Sequence, residues 1–152
     1  MRALEENVAM KQDTAPNNNL SSIREMLSNS GYGEKAIEYY LTKPNQGPLK
    51  DADQISELTG PCGDTMKSYL KVDQGKIQDV KFDVLGCPGA ISAAMALADL
   101  VRGKDLNRAL QVKDGDVFKA LVEIPDQKQH CIRLAVKTLE KAIKEYRDKQ
   151  EN

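Results

Sequence analysis

Net charge of either sign is missing from this chain. Its 152 residues carry 22 basic and 23 acidic side chains, a formal charge of −1. That balance supplies no general attraction to nucleic acid or to an anionic membrane. No window approaches the roughly 18–20 apolar residues needed to cross a bilayer. The first residues lack the basic start and apolar run of a secretory signal. Glu5 and Glu6 come too early for an acid-poor transit peptide. The expectation is a cytoplasmic protein. There is no internal repeat and no long low-complexity run. Cysteine is scarce and odd in number, at three, so a disulfide framework would leave one thiol unpaired. No Cys-x-x-Cys pair occurs, which removes the zinc-ribbon signal. In a reducing compartment such thiols are buried structural groups, metal ligands or reactive groups.

What is present suits one ordinary domain, with hydrophobic residues at 40 % of the chain. Residues 1–30 read as an extension. Met1–Lys11 is weakly helical, Thr14–Asn19 is a breaker cluster, and Ser22–Glu25 has the form of a capping box opening a helix to about Ser28. Ser30–Gly33 breaks that helix, and Glu34–Leu41 forms another, ended by Pro44 and Gly47. Met66, Ser68, Leu70 and Val72 then alternate with polar neighbours and Tyr69, the period of a strand. Asp73–Lys76 is a hairpin turn with Gly75 supplying the positive φ. Ile77–Leu85 returns, and Ile55–Leu58 adds a third strand.

The rest is helical. Pro88 fits a first helical turn, and Ile91, Ala94, Met95, Ala98 and Val101 form one apolar stripe ended by Gly103. Asp105–Leu110 and Asp116–Leu121 are short helices. A final helix starts near His130 and places Cys131, Leu134, Ala135, Thr138, Ala142 and Tyr146 on one face. Strands first and helices after predict an α+β fold, a small antiparallel three-stranded sheet with helices packed on one face.

Each cysteine falls where secondary structure changes. Cys62 lies in Gly60-Pro-Cys-Gly-Asp64, Cys87 in Gly86-Cys-Pro-Gly89, and Cys131 follows His130 at a helix start. Glycine and proline around the first two make exposed turns, where a scaffold carries reactive groups. Cys87 and Cys131 sit near helix N-termini, whose partial positive charge favours thiolate, the form that binds metal and attacks sulfur. Asp64 and His130 add an oxygen and a nitrogen. Iron in sulfide clusters takes thiolate and tolerates imidazole, and zinc accepts all three donor types. Five donors for four positions suit a site that loads and releases metal, with Asp64 as the weak, exchangeable ligand. Against this stand ordinary readings: a buried small hydrophobe for each thiol, most of all Cys131 on its apolar stripe, a turn residue for Asp64, and solvated positions for His130 and Lys128. The spacing alone does not bring the thiols together.

These residues also resemble a known family. Tyr32–Tyr39, Pro61-Cys-Gly-Asp64 followed by Met66-Lys67, Phe82-Asp-Val-Leu-Gly-Cys87 and Lys128-Gln-His-Cys131 are similar, in order, to the motifs of the IscU/NifU-type iron–sulfur cluster scaffold family. The likeness runs from Tyr32 to about Tyr146, which sets the scaffold domain at residues 31–148. It implies a scaffold, not an enzyme, that assembles a labile [2Fe-2S] cluster on Cys62, Cys87 and Cys131 with His130 beside them. Iron enters as Fe2+, and sulfur comes as persulfide from a pyridoxal-phosphate cysteine desulfurase. A ferredoxin- or frataxin-type partner supplies electrons or iron, and apo iron–sulfur proteins receive the product. It further implies that Asp64 keeps the cluster labile, that Cys131 is the sulfur acceptor, and that Zn2+ occupies the same residues at rest. Lys128 would stabilise a thiolate or persulfide, and Tyr32 would mediate association into a homodimer during sulfur chemistry. Ile124-Pro-Asp-Gln-Lys128 departs from the family's Leu-Pro-Pro-Val-Lys run, which removes the support for a handoff by an Hsp70-type chaperone. Pro88-Gly89 replaces the usual small residues after the second cysteine.

Two other functions compete. A zinc-bound persulfide relay fits the donor set, but the insertion between the second and third cysteines that marks the zinc-dependent SufU branch is lacking. An enzyme with a Cys–His dyad is disfavoured, since adjacent helical residues point about 100° apart and no oxyanion-hole motif stands out.

Overall fold

A computed structural model describes residues 19–151. The expectations for Met1–Lys11 and Thr14–Asn18 fall outside that range. Helix α1 covers residues 19–29, so Ser22 lies inside it and opens no capping box. Packing overrides the local signal: Leu27 is buried in the main core and Ile23, one turn earlier, packs against it. Arg24 pairs with Glu34 and, at 3.2 Å, with Glu38 on the next helix. Gly31, at φ +104°, turns the chain so that the Tyr32 N–H returns to the Leu27 carbonyl at 3.0 Å.

Helix α2 spans Glu34–Thr42 and ends at Lys43 in the left-handed region. Three antiparallel strands follow, β1 (Gln54–Thr59), β2 (Thr65–Asp73) and β3 (Lys76–Leu85), in the order β1-β2-β3. The β2–β3 turn holds both Gln74 (φ 53°) and Gly75 (φ 77°) at positive φ. The turn that matches strand twist needs both central residues there, so the expectation of Gly75 alone was half of the device. A bulge near Lys71/Val72 pairs Val72 with Ile77 and Lys71 with Asp79. Gln78 is the extra residue, and Ile77 and Val80, three apart, both point into the core and are fully buried.

The remaining helices are α3 (Pro88–Val101), α4 (Leu106–Leu110), α5 (Asp114–Leu121) and α6 (Gln129–Glu151), with a 3-10 turn at Asp126–Lys128 before α6. Helices α3 and α6 pack on the sheet face that carries Met66, Leu70, Val80 and Phe82. Ile55 and Leu85 stay exposed on the other face. This is the α+β arrangement expected. One expectation is corrected: α3 has no single apolar stripe, being buried at every position from Gly89 to Ala98. It lies among the sheet, α2, α5 and α6, and its alanines let those neighbours close in on all sides.

Both sheet edges are covered. Lys141 and Lys149 of α6 donate to the Glu57 and Asp53 carbonyls at 2.7 Å, capping β1. On the far side the Phe82 N–H donates to the Asn45 carbonyl and the Gly47 N–H to the Phe82 carbonyl, both at 3.0 Å. Open edges invite pairing with other chains, and these contacts remove much of that liability. Among the described residues, no helix is long and apolar enough to cross a membrane.

Candidate metal centre

Sheet register brings two of the three cysteine loops together. Thr65 pairs with Thr59 on one side and with Leu85 on the other. The β1–β2 loop, with Cys62 and Asp64, therefore emerges beside Gly86 and Cys87 at the end of β3. Gly63, at φ +89°, makes that loop tight, and the Gly60 N–H closes it onto the Asp64 carbonyl at 2.8 Å. Cys87 is the N-cap of α3, with Pro88 in the first turn, where its missing N–H costs nothing.

The third element arrives from α6. Before it, Val122 has φ 69° and ψ −53°, and the Glu123 N–H donates to the Leu121 carbonyl at 2.8 Å. This is a γ-turn, strained for a β-branched residue. The Gly33 N–H holds its far side through the Glu123 carbonyl at 2.9 Å. The chain then runs through the 3-10 turn into α6, placing His130 and Cys131 in the first helical turn. α6 also packs on the first loop: a Cβ at Gly60 would stand 3.1 Å from Leu134 Cδ2.

The result is a compact donor cluster. Cys87 Sγ lies 3.6 Å from Cys131 Sγ and 3.6 Å from Asp64 Oδ2. Cys131 Sγ lies 3.8 Å from Asp64 Oδ2 and 3.6 Å from His130 Nε2. Ligand atoms of Asp64, His130 and Cys131 all fall within 4.8 Å of one another. A metal with sulfur at about 2.3 Å and nitrogen or oxygen at about 2.0–2.1 Å holds its tetrahedral ligands about 3.5–3.8 Å apart. The separations among Cys87, Cys131 and Asp64 match those edges, as does that of His130 from Cys131, so these residues suit a thiophilic ion with one carboxylate arm. The fifth expected donor stands aside. Cys62 is exposed on the loop two residues before Asp64 and makes no hydrogen bond among the described residues. The 3.6 Å approach of His130 to Cys131 also corrects the argument from helical rotation. Both residues sit at the helix start, where their side chains converge on Asp64.

The two paired thiols differ sharply. Cys87 is half-buried, and its thiol is pulled down to about 6. The main cause is the Cys131 thiol donating to it, helped by the Ala90 N–H and by Lys128 against burial and the Asp64 charge. Cys131 is fully buried, and its thiol is pushed up, first by that same hydrogen bond and then by burial. The expectation of thiolate at both helix starts is supported at Cys87, whose thiol is pulled down, and opposed at Cys131, where the hydrogen bond to Cys87 and then burial push the thiol up.

Two further residues close the floor. Tyr32 is 7 % exposed. Its hydroxyl is pushed up to about 12 by burial and by the negative thiol pair, while the Gly89 N–H faces its oxygen. Buried in this way, the ring offers no free face for self-association. Lys128 packs on the same glycine: a Cβ at Gly89 would stand 3.1 Å from Lys128 Cβ and 3.3 Å from the Tyr32 hydroxyl. Sequence reasoning passed over these close-approach glycines. Their signal was a glycine on both sides of each of the first two cysteines. A cleft of about 460 Å³ between α5 and α6 shares only His130 with the cluster.

Known proteins agree with this fold. The family described as NifU-like N terminal domain matches residues 31–152. The chain belongs to that family. Among relatives of the NifU-like N-terminal domain family, the chain is 38 % identical over 122 residues to "Iron-sulfur cluster assembly scaffold protein IscU" of Aquifex aeolicus, covering 78 % of each chain. It is 37 % identical over 125 residues to the protein of the same name from Escherichia coli, covering 79 % of this chain and 97 % of that one. In fold it is similar to the N-terminal NifU-like protein of Brucella abortus, with a TM-score of 0.65 at 18 % identity, covering 77 % of this chain and 94 % of that chain.

Proposed function

We propose that this protein is a non-catalytic scaffold on which a labile [2Fe-2S] cluster is assembled and then passed to apo-proteins. The observation that carries the reading is the donor cluster: the sulfurs of Cys87 and Cys131 with Asp64 at ligand spacing, His130 within reach of Asp64 and Cys131, and Cys62 exposed beside them as a third sulfur. The names of the relatives support the same role. The cluster is cargo here, and Cys62, Cys87 and Cys131 are its sulfur ligands. Asp64 and His130 compete for the remaining position. A hard carboxylate binds iron in a sulfide cluster less firmly than thiolate does, so Asp64 in that place keeps the cargo exchangeable.

Sulfur delivered as persulfide is at the sulfane level, and each atom needs two electrons to become sulfide. The role therefore requires a cysteine desulfurase as sulfur donor and an electron donor besides iron. Cys131 is fully buried. For it to accept sulfur, the α6 start has to loosen, and the thiolate on Cys87 is the more open of the paired thiols.

Anaerobic reconstitution with ferrous iron, cysteine, desulfurase and reductant tests this. Charge-transfer absorption in the visible should appear, be more persistent in Asp64→Ala, and move to an apo-ferredoxin from the wild-type chain. Absence of those bands in both proteins overturns the scaffold role.

A second reading is a zinc-bound persulfide relay. The ligand spacing of Cys87, Cys131 and Asp64, reached without Cys62, favours it. Stoichiometric zinc that survives desulfurase and iron would select this reading over the first.

A further inference from the structure

We propose that Gly86 is the positioning residue for Asp64: its missing side chain is the space in which the carboxylate reaches the two sulfurs. The proposal rests on the reading of Asp64 as a donor and adds the residue that places it. An ideal Cβ at Gly86 would stand 2.7 Å from both Cγ and Oδ1 of Asp64, and 3.0 Å from its Cβ. Backbone conformation gives no reason for glycine here. Gly31, Gly47, Gly63, Gly75 and Gly103 have positive φ, and Gly86 is not among them. Room is the reason that remains. The register Thr65–Leu85 sets the two residues side by side, so the contact is built into the sheet.

Two of the three close atoms, Cγ and Oδ1, lie beyond the Asp64 Cβ and can swing away about χ1, while the Cβ, at 3.0 Å, has to give by only a few tenths of an ångström. An added methyl group therefore moves the carboxylate far more than the strands. Asp64 Oδ2 then leaves its 3.6 and 3.8 Å contacts with Cys87 and Cys131. Gly86→Ala thus withdraws one donor while every donor residue stays in place.

The test is a double-mutant cycle on the full chain, stripped of metal and titrated with cobalt(II). Gly86→Ala and Asp64→Ala should each weaken cobalt binding by about tenfold, at the lower end of what lost ligand support costs. Both should shift the d–d bands in the same direction. The double variant should be no weaker than either single one, because residues acting through one contact do not add. Additive losses, or a Gly86→Ala chain that binds cobalt like the wild type while Asp64→Ala does not, overturn this proposal alone. An Asp64→Ala chain with unchanged affinity and bands overturns the donor reading and the proposal together. Should Gly86→Ala lower the melting temperature, Asp64→Gly in the same chain should restore it; failure to restore overturns the steric argument.

Discussion

Burial divides the three thiols into three different chemistries. Cys62 is exposed, Cys87 is half-buried and pulled toward thiolate, and Cys131 is sealed. Metal-free protein treated with limiting iodoacetamide at neutral pH should therefore label Cys131 at least about tenfold more slowly than Cys62, since alkylation needs an accessible thiolate. Peptide mass spectrometry reads the order, and equal rates at all three would contradict the assignment. The donor types were legible in the sequence, because glycine and proline around Cys62 and Cys87 mark turns whatever the fold. Part of the ranking was legible too, since Cys131 falls on the apolar stripe of α6 while Cys62 lies in a Gly-Pro turn. The half-burial of Cys87 against Cys131 was not, because it depends on α6 being laid on the sheet.

Among the elements, a polar knot ties α2, the following loop, α3 and β3 together. Asp99 accepts from the Tyr39 hydroxyl at 2.8 Å and from Asn45 and Arg102 at 3.1 Å each. Arg102 also reaches the Asn45 side-chain oxygen at 2.6 Å and Asp79 at 3.1 Å. Burial opposes ionisation of Asp99, but these donors outweigh it and hold its carboxyl below the usual value. A carboxyl whose folded value is depressed contributes stability above its unfolded value and loses it as pH falls through the folded one. Asp99→Asn should therefore cost about 1 kcal/mol near pH 7, a modest figure because water screens a side chain that is still 43 % exposed. The gap between the two proteins should narrow below about pH 4, where the unfolded carboxyl protonates. Urea midpoints across pH measure it, and a gap independent of pH would exclude the carboxylate as the cause. Strand alternation and the hairpin were readable because they are local patterns. The all-round burial of α3 was not, because a run rich in alanine fits a stripe or an enclosed helix equally well.

At the scale of the molecule, the family match begins at residue 31, yet the core does not. Leu27 of α1 shares the core of Tyr32, Ile37 and the sheet. Leu27→Ala should cost about 2–3 kcal/mol, as for other buried leucines, with cobalt affinity unchanged. An unmoved urea midpoint would place α1 outside the cooperative unit. The sequence by itself determined the α+β order, the strand pattern, the proline-opened α3 and three donor-bearing turns, since each is encoded within a short stretch. Only the tertiary structure decided which donors meet. Residues 64, 87 and 131 are joined by sheet register and by the packing of α6, relations between distant segments that no local pattern expresses. The same packing left Cys62 in solvent, buried Cys131, and required a residue without a side chain at Gly86.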